Sequence, residues 1–129
     1  MSQLKLAYID TSYLAAIAFD EPGAHGAANR LRAFDLLISS NLLEAELRSV
    51  FLREKVDDGD RFLSWVSWVY PQAALTKETI RVLRHGYLRG ADLWHLACAL
   101  HVAGHPDEMH FLTFDRRQSE VAVALGFRV

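Results

Sequence analysis

The stretch from Leu88 to Leu100, Leu-Arg-Gly-Ala-Asp-Leu-Trp-His-Leu-Ala-Cys-Ala-Leu, constrains this chain more than any other. It reads as the start of a buried helix, because nearly every side chain from Ala91 to Ala103 is apolar. Asp92 sits at the mouth of that helix and His95 follows one turn later. A carboxylate at the edge of an apolar helix loses hydration unless something compensates it. A helix cap is the plain compensation, and a metal ion is the sharper one.

A length of 129 residues suits one domain, spanning 1–129, with one core. The hydrophobic fraction of 51% with 23% charged residues describes a soluble globular chain rather than a disordered one. Cys98 is the single cysteine, so neither an internal disulfide nor a cysteine zinc cluster is available. It falls among Ala97, Ala99 and Leu100 and reads as a small buried hydrophobe. No apolar run approaches the ~20 residues of a membrane span. The N-terminus lacks a signal-peptide pattern, because Asp10 at once interrupts Leu6-Ala-Tyr-Ile9. A cytoplasmic location is the expectation. The net charge of −2 argues only weakly against a nucleic-acid partner. Setting four of the 16 acids aside for a metal site leaves 14 basic residues against 12 acidic ones.

Strand-like and helix-like segments alternate along the chain. Lys5–Ile9 reads as a buried strand ending at Asp10, with a helix from about Ser12. Glu21-Pro22-Gly23 breaks that helix, and a second covers Ala24–Phe34. Leu36–Ile38 is a second strand, and Ser39-Ser40-Asn41 caps a helix over Leu42–Val56. On that helix Glu44 and Arg48 have the spacing of a solvated ion pair. Glu46 has no such partner, since position 50 is Val, and is the better inward acid. Asp57-Asp58-Gly59-Asp60 is a turn whose spacing does not match a calcium loop. Arg61–Tyr70 reads as a helix apolar nearly all round, which is either core or a partner surface. Ala73–Leu75 is a weak strand, and Thr76 caps a helix to His85 closed by Gly86. After the opening stretch come a strand at Met109–Thr113, a helix at Arg116–Leu125 and a last short strand after Gly126. This order implies an α/β fold: a central, mostly parallel sheet of about four to five strands flanked by helices.

Three acids recur in one kind of place. Asp10 and Asp115 each follow a strand, and Asp92 opens a buried helix. Glu46 lies on a helix beside the sheet. Strand ends of a parallel sheet converge on one edge, where ligand sites are built. Clustered carboxylates repel, and without a cation some stay protonated. A hard divalent ion such as Mg²⁺ resolves the conflict with oxygen ligands, and it can activate water against a phosphodiester. The plain alternative for Asp10 is an N-cap of the following helix. Arg48, Arg89, Arg116 and Arg117 adjoin the acids and suit phosphate. Each, taken singly, reads as a solvated helix-end charge.

Four blocks then resemble, in order, those of PIN-domain proteins: Ile9-Asp-Thr-Ser-Tyr-Leu14, Ser39-Ser-Asn-Leu-Leu-Glu-Ala-Glu-Leu-Arg48, Leu88-Arg-Gly-Ala-Asp-Leu-Trp-His-Leu-Ala97 and Leu112-Thr-Phe-Asp-Arg-Arg117. Each block alone is a weak signal, and four in register are a strong one. Among PIN-domain proteins the chain is most similar to the VapC-type toxins of type II toxin–antitoxin pairs. The resemblance implies a metal-dependent endoribonuclease with catalytic Asp10, Glu46, Asp92 and Asp115. Asp10, Asp92 and Asp115 would hold Mg²⁺ or Mn²⁺, with Ser12 and Thr113 supporting the site. His95 matches a position that is often His in the family, and a hydrogen-bonded structural role is preferred for it. Trp94 departs from the smaller residues common at its position. The resemblance also implies an RNA substrate, a homodimer and a cognate antitoxin covering the groove, for which the aromatic residues of Arg61–Tyr70 would be a suitable surface.

Other chemistries fit less well. A phosphatase with a nucleophilic Asp10 needs Asp-x-Asp, and Ser12 stands at the third position. A receiver domain needs adjacent acids near its first strand, which are missing here. The non-enzyme alternative is a catalytically silent PIN-fold module that binds RNA or protein.

Overall fold

The computed structural model describes residues 4–129; the first three positions of the expected 1–129 domain lie outside the described residues. Four strands, β1 (Leu6–Ile9), β2 (Leu36–Ser40), β3 (Val66–Val69) and β4 (Met109–Leu112), form one parallel sheet in the order β3-β2-β1-β4. The helices are α1 (Thr11–Ala18), α2 (Ala24–Leu31), α3 (Asn41–Arg53), α4 (Asp60–Leu63), α5 (Thr76–His85), α6 (Gly90–Val102) and α7 (Arg116–Leu125). The expected C-terminal strand is reduced to a single bridge between Arg128 and His110. No helix among the described residues is long and apolar enough to cross a membrane.

The alternation of side chains along β1 explains the layering. Tyr8 points to one face and joins Ile38, Leu96, Met109 and Phe111 in a core that also takes in α5 and α7 through Val82 and Val121. Ala7 and Ile9 point to the other face and pack with Leu14, Leu43, Leu47, Phe51 and Leu112. A strand buried on both faces must be apolar throughout, and Ala7, Tyr8 and Ile9 are all fully buried. The parallel register sets Tyr8 opposite Phe111 on β4, and their rings stack with centroids 5.4 Å apart. Because all four strands run the same way, their C-terminal ends share one edge. Asp10 lies there, its N–H donating to the Leu112 carbonyl at 3.2 Å.

Two expected elements are corrected. Arg61–Tyr70 is not a helix. Its start forms the one-turn α4, and Val66-Ser-Trp-Val69 is β3, paired with β2 from Leu37–Val66 to Ser40–Val69. Apolar residues three and four apart fit a helix, but a run this short and rich in Val and Trp fits a strand as well. Contact with β2 decides in favour of the strand. Ala73–Leu75 is not a strand, because Leu75 has a left-handed backbone (φ 56°) that no strand admits. Leu75, rather than Thr76, occupies the cap position of α5.

Candidate functional site

Asp10 is the most deeply set acid at the strand edge, with 2% of its surface exposed. It ends β1 and caps α1, its Oδ1 accepting from the Tyr13 N–H at 3.1 Å. The capping expectation for Asp10 is thus met, and capping through Oδ1 does not exclude a role in a site. Ser12 donates to its two oxygens at 2.8 and 3.0 Å. Thr113, just past β4, reaches Asp10 Oδ2 at 2.8 Å and Gln118 Oε1 at 2.9 Å, so one hydroxyl proton serves two acceptors. The Thr113 oxygen also accepts from the Asp115 N–H at 2.9 Å.

Asp115 caps α7 by accepting from the Gln118 N–H at 2.7 Å. The Gln118 side chain is fully buried, and its amide donates to the Asp92 carbonyl at 3.1 Å. One side chain thus joins the loop after β4 to the first turn of α6. Asp92 itself is no cap. The cap position is Arg89, and Gly90 follows with φ +58°, a backbone that glycine adopts without strain. That turn sets Asp92 at the helix mouth, over the buried run Leu96–Leu100.

Glu46 comes in from α3. Its Oε1 accepts from the Thr11 hydroxyl at 2.6 Å and lies 3.5 Å from His95 Nε2. His95 is buried, with Tyr8 Oη 2.8 Å from Nδ1 and Thr11 Oγ1 3.2 Å from Nε2. The preferred structural role for His95 agrees with these contacts. The hydrogen bonds thus draw Asp10, Asp115 and the backbone of Asp92 into one network through Thr113 and Gln118. Glu46 belongs to an adjoining network through Thr11, the residue after Asp10. No group of three or more His, Cys, Asp or Glu side chains among the described residues is already gathered at metal-holding distance.

Burial pushes the Asp10 carboxyl above its usual value, against the lowering effect of Ser12 and Thr113. Asp92 is also raised, first by burial and then by the negative charges of Asp115 and Glu46. Asp92 therefore sits in the field of Asp115 and Glu46. Glu46 is lowered, chiefly by its contact with His95, which with Thr11 outweighs partial burial. A carboxyl raised on folding holds its proton more tightly in the folded protein than in the unfolded one. Asp10 and Asp92 thus favour the fold at pH below the ordinary carboxylate range, and that benefit disappears as pH rises towards their elevated values. Glu46 acts in the opposite sense, losing its contribution as pH falls through its lowered value. In metal-free buffer the Asp92→Asn protein should lose less stability than wild type between acid and neutral pH. Urea midpoints across that range test this; parallel curves for the two proteins would contradict it.

The four arginines are all exposed at the surface. Arg48 pairs with Glu44 and Asp60 at 3.1 and 2.8 Å, as the four-residue spacing from Glu44 leads one to expect. Arg116 pairs with Glu120 at 3.2 Å, and Arg117 donates to the Tyr87 carbonyl at 3.3 Å. Arg89 stands beside the mouth of α6. Sequence reasoning missed Thr11, Tyr8 and Gln118. Thr11 is hidden by its neighbour, because Asp-Thr-Ser offers two hydroxyls and the sequence does not say which acid each one serves. Gln118 stands three residues after the cap Asp115, a pattern that ordinarily signals a side chain reaching back to the cap. Here it turns inward.

A family model described as PIN domain matches residues 7–124. Searches of curated proteins and of solved structures each returned no match.

Proposed function

The chain belongs to the PIN-domain family, a nuclease-type fold, and from that premise we propose that it is a metal-dependent endoribonuclease acting as the toxin of a type II toxin–antitoxin pair. The observation that supports this most is the position of the acids. Asp10, Asp92 and Asp115 come from three segments of the chain to one sheet edge, where burial and then the charges of Asp115 and Glu46 raise the Asp92 carboxyl.

The donor set fits a hard divalent cation: it is made of oxygen atoms, and the ionised form of Asp92 is disfavoured by burial and by the neighbouring charges of Asp115 and Glu46. Asp10, Asp92 and Asp115 would hold Mg²⁺ or Mn²⁺. Such an ion, when bound, supplies a Lewis acid for the phosphodiester and lowers the pKa of water. Ser12 and Thr113 hold Asp10 in one orientation by hydrogen bonds to its oxygens. Gln118 keeps the mouth of α6 docked on the loop that carries Asp115. Glu46 keeps a charged carboxylate towards solvent, with Oε1 engaged by Thr11 and Oε2 left to orient an attacking water and accept its proton. Arg89, Arg116, Arg117 and Arg48 contribute positive charge for the phosphate backbone of RNA.

The toxin role, a cognate antitoxin, a homodimer and action in the cytoplasm are supported by the likeness of the four sequence blocks to VapC-type toxins. The test is expression of the protein in growing cells with mapping of RNA ends. Growth arrest with new ends at defined sites is the expected result, and unchanged RNA would defeat the proposal. A second measurement separates an enzyme from a silent RNA- or protein-binding module. Mg²⁺ or Mn²⁺ at a hundredfold excess over its Kd should stabilise wild type by about 2.7 kcal/mol. Asp92→Asn should abolish that gain in calorimetry; an equal gain in the variant would remove Asp92 from the metal site.

A further inference from the structure

We infer that Tyr8, His95 and Thr11 form a one-way hydrogen-bond chain ending on Glu46, and that all three are positioning residues for this acid. The inference rests on the nuclease reading of Glu46 and extends it to residues from β1, α1 and α6.

The direction of the chain follows from counting protons. Thr11 Oγ1 lies 2.6 Å from Glu46 Oε1. A carboxylate has no proton to give, so the hydroxyl proton must lie on that bond. The Thr11 oxygen can then only accept from His95 Nε2, 3.2 Å away. A bare Nε2 would set its lone pair against that oxygen and against Glu46 Oε1 at 3.5 Å. Such a clash is costly for a ring only 1% exposed. Nε2 therefore carries the proton. In the neutral ring Nδ1 is then an acceptor, and it faces Tyr8 Oη at 2.8 Å. The Tyr8 oxygen in turn accepts from the Ser40 N–H at 3.1 Å, which leaves the phenol proton for His95.

The chain therefore runs from the Ser40 amide through Tyr8, His95 and Thr11 to Glu46. It ties an acid on α3, a helix of one layer, to a strand of the sheet and to the buried helix of the other layer. Glu46 is only partly buried, so a free glutamate at this site would sample several rotamers. The chain selects one of them. Simple satisfaction of buried polar groups accounts for Tyr8 and His95. It does not account for a donor as short as that of Thr11, which is partly exposed and could turn to water instead.

Three variants and one spectrum test this. Thr11→Val keeps the shape of the side chain and removes the hydroxyl. It should lower kcat for RNA cleavage about tenfold, the scale for loss of a partner behind an active-site group, with KM unchanged. Thr11→Ser should restore wild-type kcat. NMR of the histidine ring nitrogens should show His95 protonated at Nε2 and bare at Nδ1 in wild type, with the Nδ1 signal moved in Tyr8→Phe. A His95 proton on Nδ1 overturns the direction of the chain. Wild-type kcat in Thr11→Val, or a loss in Thr11→Ser equal to that in Thr11→Val, overturns the positioning role alone. A wild type that cuts no RNA overturns the nuclease reading together with that role.

Discussion

Asp10→Asn should stop RNA cleavage and leave the fold standing. Asparagine caps a helix as well as aspartate does, so its side-chain oxygen can still accept from the Tyr13 N–H that Asp10 Oδ1 now holds. Ser12 and Thr113 can reorient their hydroxyls to accept from the new amide group. The charge is what disappears. Its removal should even relieve the folded protein slightly, because burial disfavours the ionised form of Asp10. Activity should fall on the order of 100-fold or more, the scale seen when one preorganised electrostatic group leaves an active site. The measurement is cleavage of RNA at saturating Mg²⁺, with circular dichroism and a urea titration on the same sample. A variant that folds normally and cuts at the wild-type rate would remove Asp10 from the site.

Leu96→Ala should show the reverse pattern, a damaged scaffold with its chemical groups intact. Leu96 lies one turn beyond Asp92 on α6, is fully buried and packs in the core that includes Tyr8 and Phe111. Truncating a buried leucine to alanine removes transfer energy and leaves a cavity, at a cost of about 2–5 kcal/mol. A domain of this size has about 5–15 kcal/mol of total stability, so the loss is a large share. Thermal unfolding should come roughly 10 °C earlier. A melting temperature within a degree or two of wild type would show that α6 is not packed as described. Read together, the two variants separate the carboxylate from the helix that supports its neighbour.

Both variants depend on features that were legible in the chain to different degrees. The apolar run behind Asp92 announced a buried helix, and α6 is buried from His95 to Leu100. Strand-then-acid at Ile9-Asp10 and Leu112-Thr113-Phe114-Asp115 announced two sites on a parallel edge, and the sheet is parallel throughout. These signals survive in sequence because they are local: burial dictates residue type, and a strand end lies next to the residue it presents. The misreading of Val66–Val69 has the opposite cause. Six apolar residues in eight fit either periodicity, and only hydrogen bonding to β2 selects the strand. Leu75 was misread for a related reason, since a positive φ at a leucine leaves no mark on composition.

The candidate site divides along the same line. The residue types and their order pointed to four acids: two at strand ends, one at a helix mouth and Glu46 on a helix beside the sheet. They could not specify which hydroxyl serves which acid. Thr11 and Ser12 are neighbours in sequence, yet Ser12 turns to Asp10 and Thr11 to Glu46. Gln118 is one polar residue on an otherwise ordinary helix, and only packing buries it against the Asp92 carbonyl. His95 has the spacing of a partner to Asp92, but the fold aims it at Tyr8, Thr11 and Glu46. Local pattern determined most of the elements, though not β3, and the acids that stand at their ends. Tertiary structure alone decided the hydrogen-bond partners, because a directional bond of about 3 Å depends on how separate elements pack.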